Sequence, residues 1–160
     1  MVTSTGDRPL ATSIKEHIED CISHYAYDDA LFLAEMNHDQ EASDDTLYVL
    51  ADCYHRAHRL DELYYLLKGN SLSNYRLRYI FASCCFELKK NDECLRALSG
   101  TSAMNNRQRL HPTLAMSPSA SFAYALLTKL YCELSSIDDA LESAEKSIRL
   151  NCLRWSSIEV

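Results

Sequence analysis

Apolar residues recur along this chain in short helical stripes, each broken after three or four turns by a polar pair. The clearest stripe is Leu47, Leu50, Ala51 and Tyr54, an i, i+3, i+4, i+7 set that lines one face of a helix. Ser43 stands where an N-cap belongs, so a helix from Asp44 to Ala57 is expected, followed by a turn at His58-Arg59. A partner helix from about Asp61 should end at Gly69 in the left-handed C′ position. Upstream, Ile14, Ile18, Cys21 and Ile22 share a face, and Ser13 with Glu16 reads as a capping box, predicting a helix from about Ile14 to Ser23. A turn near Tyr25-Ala26 leads to a second helix, about Asp28 to Asn37, burying Ala30, Leu31 and Ala34 with Leu33 beside them.

The alternation continues downstream. Asn74 should cap a helix from Tyr75 to Leu88, and Asp92 should open one that stops at Gly100. Residues 99 to 117 break the pattern with Asn105-Asn106, Arg107, Arg109, His111-Pro112 and Ser117-Pro118, and read as an inserted loop. Ser117 as N-cap with Pro118 at the first helical position would restart order, giving a helix to about Leu134 and a partner from Ile137 to Leu150.

Four copies of one motif mark the second helix of each pair: Tyr27-Asp28-Asp29-Ala30, Leu60-Asp61-Glu62-Leu63, Asn91-Asp92-Glu93-Cys94 and Ile137-Asp138-Asp139-Ala140. Their acidic pairs fall in the first helical turn, where they complement the helix dipole. Ala30 and Leu63 lie 33 residues apart, Leu63 and Cys94 31, and Cys94 and Ala140 46, the last being one repeat plus the insertion. That period is the tetratricopeptide one, in which helical hairpins stack because none can bury its own core.

The fingerprint agrees. The fourth copy reads Tyr124-x-x-Leu127-Thr128-x-x-Tyr131 and then Ala140-x-x-x-Ala144; the second reads Leu47-x-x-Leu50-Ala51-x-x-Tyr54 and then Leu63-x-x-x-Leu67. The third copy is Arg78-x-x-Phe81-Ala82-x-x-Cys85, and the first is Ile14-x-x-His17-Ile18-x-x-Cys21. Cys21 to Ala30, Tyr54 to Leu63, Cys85 to Cys94 and Tyr131 to Ala140 are each separated by nine residues. The expected fold class is therefore all-α, a right-handed superhelical solenoid of tetratricopeptide hairpins. The expected organisation is a loose tail over 1–12 and an array over 13–158 with repeats at 13–40, 43–70, 74–100 and 118–152. The inserted loop takes 101–117, and a further helix starts at 153–160.

Composition narrows the function. Only three glycines and three prolines occur, against the turn-rich needs of a β architecture, and no G-x-G-x-x-G or G-x-x-x-x-G-K-[ST] loop is present to cradle phosphate. A formal charge of −7 disfavours nucleic acid as a partner. No apolar run reaches the roughly 18 residues that span a bilayer, and Met1 to Ala11 lack a signal-peptide core, so no membrane partner is expected. Seven cysteines, two of them adjacent at Cys84-Cys85, do not make a disulfide framework, and a reducing intracellular setting is expected. No C-x-x-C pair accompanies Cys53-x-His55, so the cysteines read as small buried hydrophobes and no metal or cofactor is expected. No nucleophile with a placed base is found either, and the chain reads as a non-enzyme.

Several segments carry more than the repeat. Tyr25-Ala26-Tyr27-Asp28-Asp29-Ala30-Leu31-Phe32-Leu33-Ala34-Glu35, Leu50-Ala51-Asp52-Cys53-Tyr54-His55-Arg56, Leu66-Leu67-Lys68-Gly69-Asn70 and Ala82-Ser83-Cys84-Cys85-Phe86-Glu87-Leu88 are followed by Ser147-Ile148-Arg149-Leu150-Asn151 and Trp155. In order and spacing they resemble the N-terminal region of the cell-division-cycle-twenty-seven (Apc three) subunits of the anaphase-promoting complex, over about residues 13 to 158. The resemblance implies a non-catalytic scaffold in a multi-subunit ubiquitin ligase of the cell cycle, working in nucleus and cytoplasm. It implies that the N-terminal repeats form a homodimer, that other subunits of the complex are partners, and that the co-activator tail pocket of the C-terminal repeats is absent here. Cys152 departs from the pattern, which favours Pro at that position.

With the aromatic and apolar groups on first-helix faces, the resemblance makes Tyr48, Asp52, His55, Tyr79 and Phe86 the candidate interface, on what would be the concave face. Tyrosine suits such a role because it offers contact area with a polar tip. The alternative is a peptide-binding adaptor of the co-chaperone type, whose groove resembles a set of Lys, Asn and Arg residues that clamp a carboxylate. Lys15 and Arg76 fit two of those places, while Glu19, Val49 and Ile80 stand where Asn or Arg would be needed.

Overall fold

The computed structural model describes residues 7–100 and 109–153, with residues 7–13 as backbone only, and all nine elements among them are helices. The chain divides into two compact units, one ending at Leu66 and one starting at Leu67. The first contains α1 (Asp7–Ser23), α2 (Tyr27–Gln40), α3 (Asp44–Arg56) and most of α4 (Leu60–Lys68). The second contains α5 (Tyr75–Glu87), α6 (Asn91–Ser99), α7 (Pro112–Ala115), α8 (Ala120–Glu133) and α9 (Ile137–Leu150). The helices α1 with α2, α5 with α6 and α8 with α9 pack as hairpins, α4 follows α3 through the same short connection, and the fold is an all-α tetratricopeptide-like one.

One turn, used four times, makes these hairpins alike. Tyr25, His58, Lys89 and Ser135 all adopt left-handed backbone, with φ of 61°, 56°, 59° and 57°. Behind each, the next amide donates back to the helix it has left: Ala26 to the carbonyl of Cys21 at 2.9 Å, Arg59 to Tyr54 at 3.0 Å, Lys90 to Cys85 at 2.8 Å and Ser136 to Tyr131 at 2.9 Å. This is the Schellman closure, which satisfies the last carbonyls of a helix and reverses the chain in a fixed number of residues. The nine-residue spacing follows from it, because the accepting carbonyl belongs to the Cys21, Tyr54, Cys85 or Tyr131 position. The residue on which the second helix lands, Ala30, Leu63, Cys94 or Ala140, is at most 1% exposed in every copy.

Burial follows the stripes. In the first unit Ile18, Ala30, Leu31, Ala34, Leu50 and Cys53 form the core, with Ile14, Cys21, Ile22, Leu33 and Leu66 packed against it. In the second, Leu77, Ala82, Cys85, Leu98, Leu127 and Leu130 are fully buried, each contributing about 1.5–3 kcal/mol where the side chain is large. The Ser147 hydroxyl joins α9 to α8 by donating to the Ser121 carbonyl at 2.9 Å. Ser43 caps α3 as expected, in a reciprocal box completed by Thr46, and the Asn74 side chain accepts from the Arg76 amide at 2.9 Å to start α5.

Four expectations need correction. Helix α1 begins at Asp7, so Ser13 lies inside it rather than capping it, and the tail over 1–12 is helical from residue 7. Pro9 is tolerated because it sits in the first turn, where its missing N–H would have had no partner. Gly69 does not take the left-handed form; Gly100, with φ of 78°, does. The 101–117 insertion is not all loop, since α7 occupies Pro112–Ala115 with Leu114 fully buried against α5 and α8. Helix α8 starts at Ala120, not after Ser117, whose hydroxyl instead donates to the Leu114 carbonyl at 2.7 Å and accepts from the Ser119 amide. The further helix expected over 153–160 lies outside the described residues, apart from an exposed Leu153.

Candidate protein interface

The five candidate residues fall in two places. Tyr48, Asp52 and His55 are at i, i+4 and i+7 on α3 and are all partly buried on one face of the first unit. Asp52 is committed locally, since its Oδ2 accepts from Arg56 Nε at 2.8 Å. That hydrogen bond raises the Arg56 pKa, and the Tyr27 and Tyr48 phenols act on the same guanidinium. Tyr54 turns the other way and donates its hydroxyl to Glu35 Oε1 at 2.7 Å; burial and this partner push its pKa up to about 12.

Tyr79 and Phe86 belong to the second unit, and there the helices bring them together. They lie two turns apart on α5 and, with Ser83, form one wall of a groove whose other wall is Phe122, Leu126 and Lys129 of α8. The groove has a volume of about 270 Å³. Tyr79 meets Phe122 edge to face with ring centroids 6.4 Å apart, and Phe122 remains 45% exposed. At the far end Lys89 Nζ sits 5.3 Å from the centre of the Phe86 ring and also pairs with Glu133. The groove is thus mixed, with the rings of Tyr79, Phe86 and Phe122 beside the polar groups of Ser83, Glu87 and Lys129, and aromatic residues in such a setting are enriched at interfaces.

Phe122 and Lys129 were missed as candidates. Repeat register could have found Lys129, which stands two residues before Tyr131 as Asp52 stands before Tyr54, but not Phe122, whose equivalents are Asp45 and Arg76. The Tyr64-Tyr65 pair also divides, with Tyr64 2% exposed and Tyr65 73%. The clamp alternative loses ground on geometry, because Ile80 is 7% exposed and Val49 packs on the core of its unit, so neither position presents a side chain to a ligand.

Cys53, Cys84, Cys85 and Cys94 are buried packing residues and Cys21 is partly buried, whereas Cys132 and Cys152, against expectation, are exposed. Burial pushes the thiols of Cys53, Cys85 and Cys94 up to about 12, far from the thiolate that metal binding or nucleophilic attack requires. Among the described residues no three His, Cys, Asp or Glu side chains are placed to hold a metal ion, and no helix is long and apolar enough to cross a membrane.

Comparison with known proteins gives this fold and surface a context. Residues 23–101 match the family model described as anaphase-promoting complex, cyclosome, subunit 3. The cell division cycle protein 27 homolog of Rattus norvegicus is 36% identical over 152 residues, which is 94% of this chain and 18% of that protein. Two solved structures share the fold. The anaphase-promoting complex hetero-tetramer Cut9-Hcn1 has a TM-score of 0.77 at 20% identity, covering 93% of this chain and 28% of that one. YrrB, a tetratricopeptide protein with an unusual peptide-binding site, has a TM-score of 0.71 at 15% identity, covering 96% of this chain and 75% of that one.

Proposed function

This chain belongs to the anaphase-promoting complex subunit 3 family, the cell division cycle protein 27 homologs, and from that membership we propose that it is a non-catalytic scaffold that self-associates through its first-helix faces. It spans about 18% of the length of the curated relatives it matches, so the partners of those whole proteins enter only as part of this proposal. The observation that carries the proposal is the aromatic groove between α5 and α8. Rings at Phe122, Tyr79 and Phe86 gather in this one groove, with Phe122 45% exposed, and aromatic residues of this kind supply the anchors of protein interfaces. The α3 face with Tyr48, Asp52 and His55 is assigned the same role in the first unit. Other subunits of the complex are the remaining partners, and the proposed setting is the nucleus and cytoplasm.

Sedimentation velocity of the 160-residue chain tests this directly. A concentration-dependent shift from monomer to dimer is expected, and Phe122→Glu with Tyr79→Ala should move the midpoint up at least tenfold while leaving the circular dichroism unchanged. A monomer at every concentration to the millimolar range, or a dimer indifferent to both changes, would sink the proposal.

A further inference from the structure

A second concavity lies away from the aromatic groove, where Lys68 and Leu72 meet the hairpin of α5 and α6, and its chemistry is different. It has a volume of about 510 Å³, inside the range of about 300–1,000 Å³ that ligand pockets take. Leu72 and Phe81 give it an apolar floor, and Lys68, Arg78 and Arg96 bring three cations to it against the single carboxylate of Glu93. A local formal charge of +2 from those four residues stands out in a chain of formal charge −7.

Arg78 anchors the site. Its terminal nitrogens donate to two backbone carbonyls, Nη2 to Leu72 at 2.8 Å and Nη1 to Ala97 at 3.2 Å, so the guanidinium is fixed across the pocket wall. Its buried Nε has no hydrogen-bond partner. Burial alone lowers its pKa, and no carboxylate acts on it to raise the value again. A fixed cation with neutral acceptors only is desolvated without being neutralised, which favours an anion brought in from outside. Arg96 stands exposed beside it, its Nε reaching only the Asp92 carbonyl at 3.4 Å.

We propose that this pocket binds an extended peptide segment in which side-chain carboxylates alternate with aliphatic residues, the carboxylates meeting Lys68, Arg78 and Arg96 and an aliphatic side chain resting on Leu72 and Phe81. Charge complementarity selects the acid, and the apolar floor selects its neighbour.

The probe is an unlabelled octapeptide alternating Asp and Leu, acetylated and amidated so that side chains carry all its charge, titrated into the 160-residue chain by isothermal titration calorimetry. Saturable binding is expected, weakening at least tenfold on raising salt from about 50 to about 300 mM. Arg96→Glu and Lys68→Glu, both at exposed side chains, should each weaken it at least tenfold with unchanged circular dichroism, while Arg149→Glu, exposed on α9 and outside both concavities, should leave it unchanged. No binding to millimolar concentration overturns the assignment. So does equal binding of the Asn-for-Asp peptide, equal loss with Arg149→Glu, or tighter binding of a phosphoserine peptide, which would make phosphate the ligand. Because the Arg96→Glu and Lys68→Glu changes lie outside the aromatic groove and the Phe122→Glu change lies outside this pocket, failure here leaves the self-association reading intact, and the reverse also holds.

Discussion

Two glycines close two second helices of this fold, and they should respond in opposite ways to alanine. Gly100 has φ of 78°, and a Cβ there would stand 2.6 Å from Cδ2 of His111. Alanine in left-handed backbone costs about 1–2 kcal/mol, part of which is offset by about 0.4–1 kcal/mol from a less flexible unfolded chain. The His111 ring cannot simply move aside. Its Nδ1 accepts from the Thr113 amide at 3.3 Å to start α7, and its backbone N–H donates to the Leu98 carbonyl at 2.7 Å, closing the base of the insertion. Turning the ring away forfeits the cap, a further loss of about 1 kcal/mol. Gly100→Ala should therefore destabilise by about 2 kcal/mol. Gly69 has no positive φ and nothing within 4 Å of an added Cβ, so Gly69→Ala should be neutral or stabilise by up to about 1 kcal/mol.

Urea unfolding followed by circular dichroism at 222 nm measures both. The decisive comparison is a double-mutant cycle: with His111→Ala already in place, Gly100→Ala should cost only the backbone part, about 1 kcal/mol, giving a coupling energy of about 1 kcal/mol. Equal midpoints for the two glycine variants, or a cycle with no coupling, would refute the account of how the insertion is tied to α6.

The remaining turns predict smaller effects. Ser135→Gly should raise the melting temperature by one or two degrees, since relief of about 1–2 kcal/mol exceeds the entropy that glycine adds, whereas Ser135→Val should lower it. Leu127→Ala, at a fully buried site, should cost about 2–5 kcal/mol by denaturant melt, and Leu141→Ala, 53% exposed, less than about 0.5 kcal/mol. A thiol reagent at pH 8 should modify Cys132 and Cys152 at once and leave Cys53, Cys85 and Cys94 until unfolding; equal rates at all of them would contradict the packing. Because those three thiols titrate higher folded than unfolded, their contribution to stability is complete below about pH 9 and lost as pH rises towards about 12, which melts at pH 8 and 10.5 would show. His111 has the reverse sign for a base: burial and the Arg78 charge lower its pKa, so stability should fall as pH drops below about 6.5, and less so in His111→Gln.

Repeat, hairpin pairing and core were legible in the sequence because each rests on local periodicity. Ala30, Leu63, Cys94 and Ala140 could be placed in the core from spacing alone, and the structure buries all four. What stayed hidden depended on backbone conformation or on distant contacts. The left-handed turns carry Tyr, His, Lys and Ser rather than glycine, so composition gives no sign of them. Leu114 is fully buried in α7, but a helix of four residues carries no stripe of its own, and Pro112 with the polar run before it read as loop. Of the proposed interface, Tyr79 and Phe86 were found on α5, yet their meeting with Phe122 across 36 to 43 residues of chain could not be inferred from either helix by itself.

The recurring turn also explains where function can sit on such a chain. Each Schellman closure fixes the register of a second helix on a first, so the positions that fill the hairpin are constrained in all four copies. The outward face of the first helix is under no such constraint. Counted from Tyr54, Cys85 and Tyr131, equivalent positions carry Tyr48, Asp52 and His55 in one copy, Tyr79, Ser83 and Phe86 in the next and Ala125, Lys129 and Cys132 in the last, three chemically unlike sets at one register. Constant core and variable face suit the proposed scaffold role, in which a shared core keeps each hairpin folded and the faces would tell one partner from another. The acidic pairs that mark the repeat lie on the constrained side of this division, at helix starts, and they are part of how the array folds rather than of what it binds.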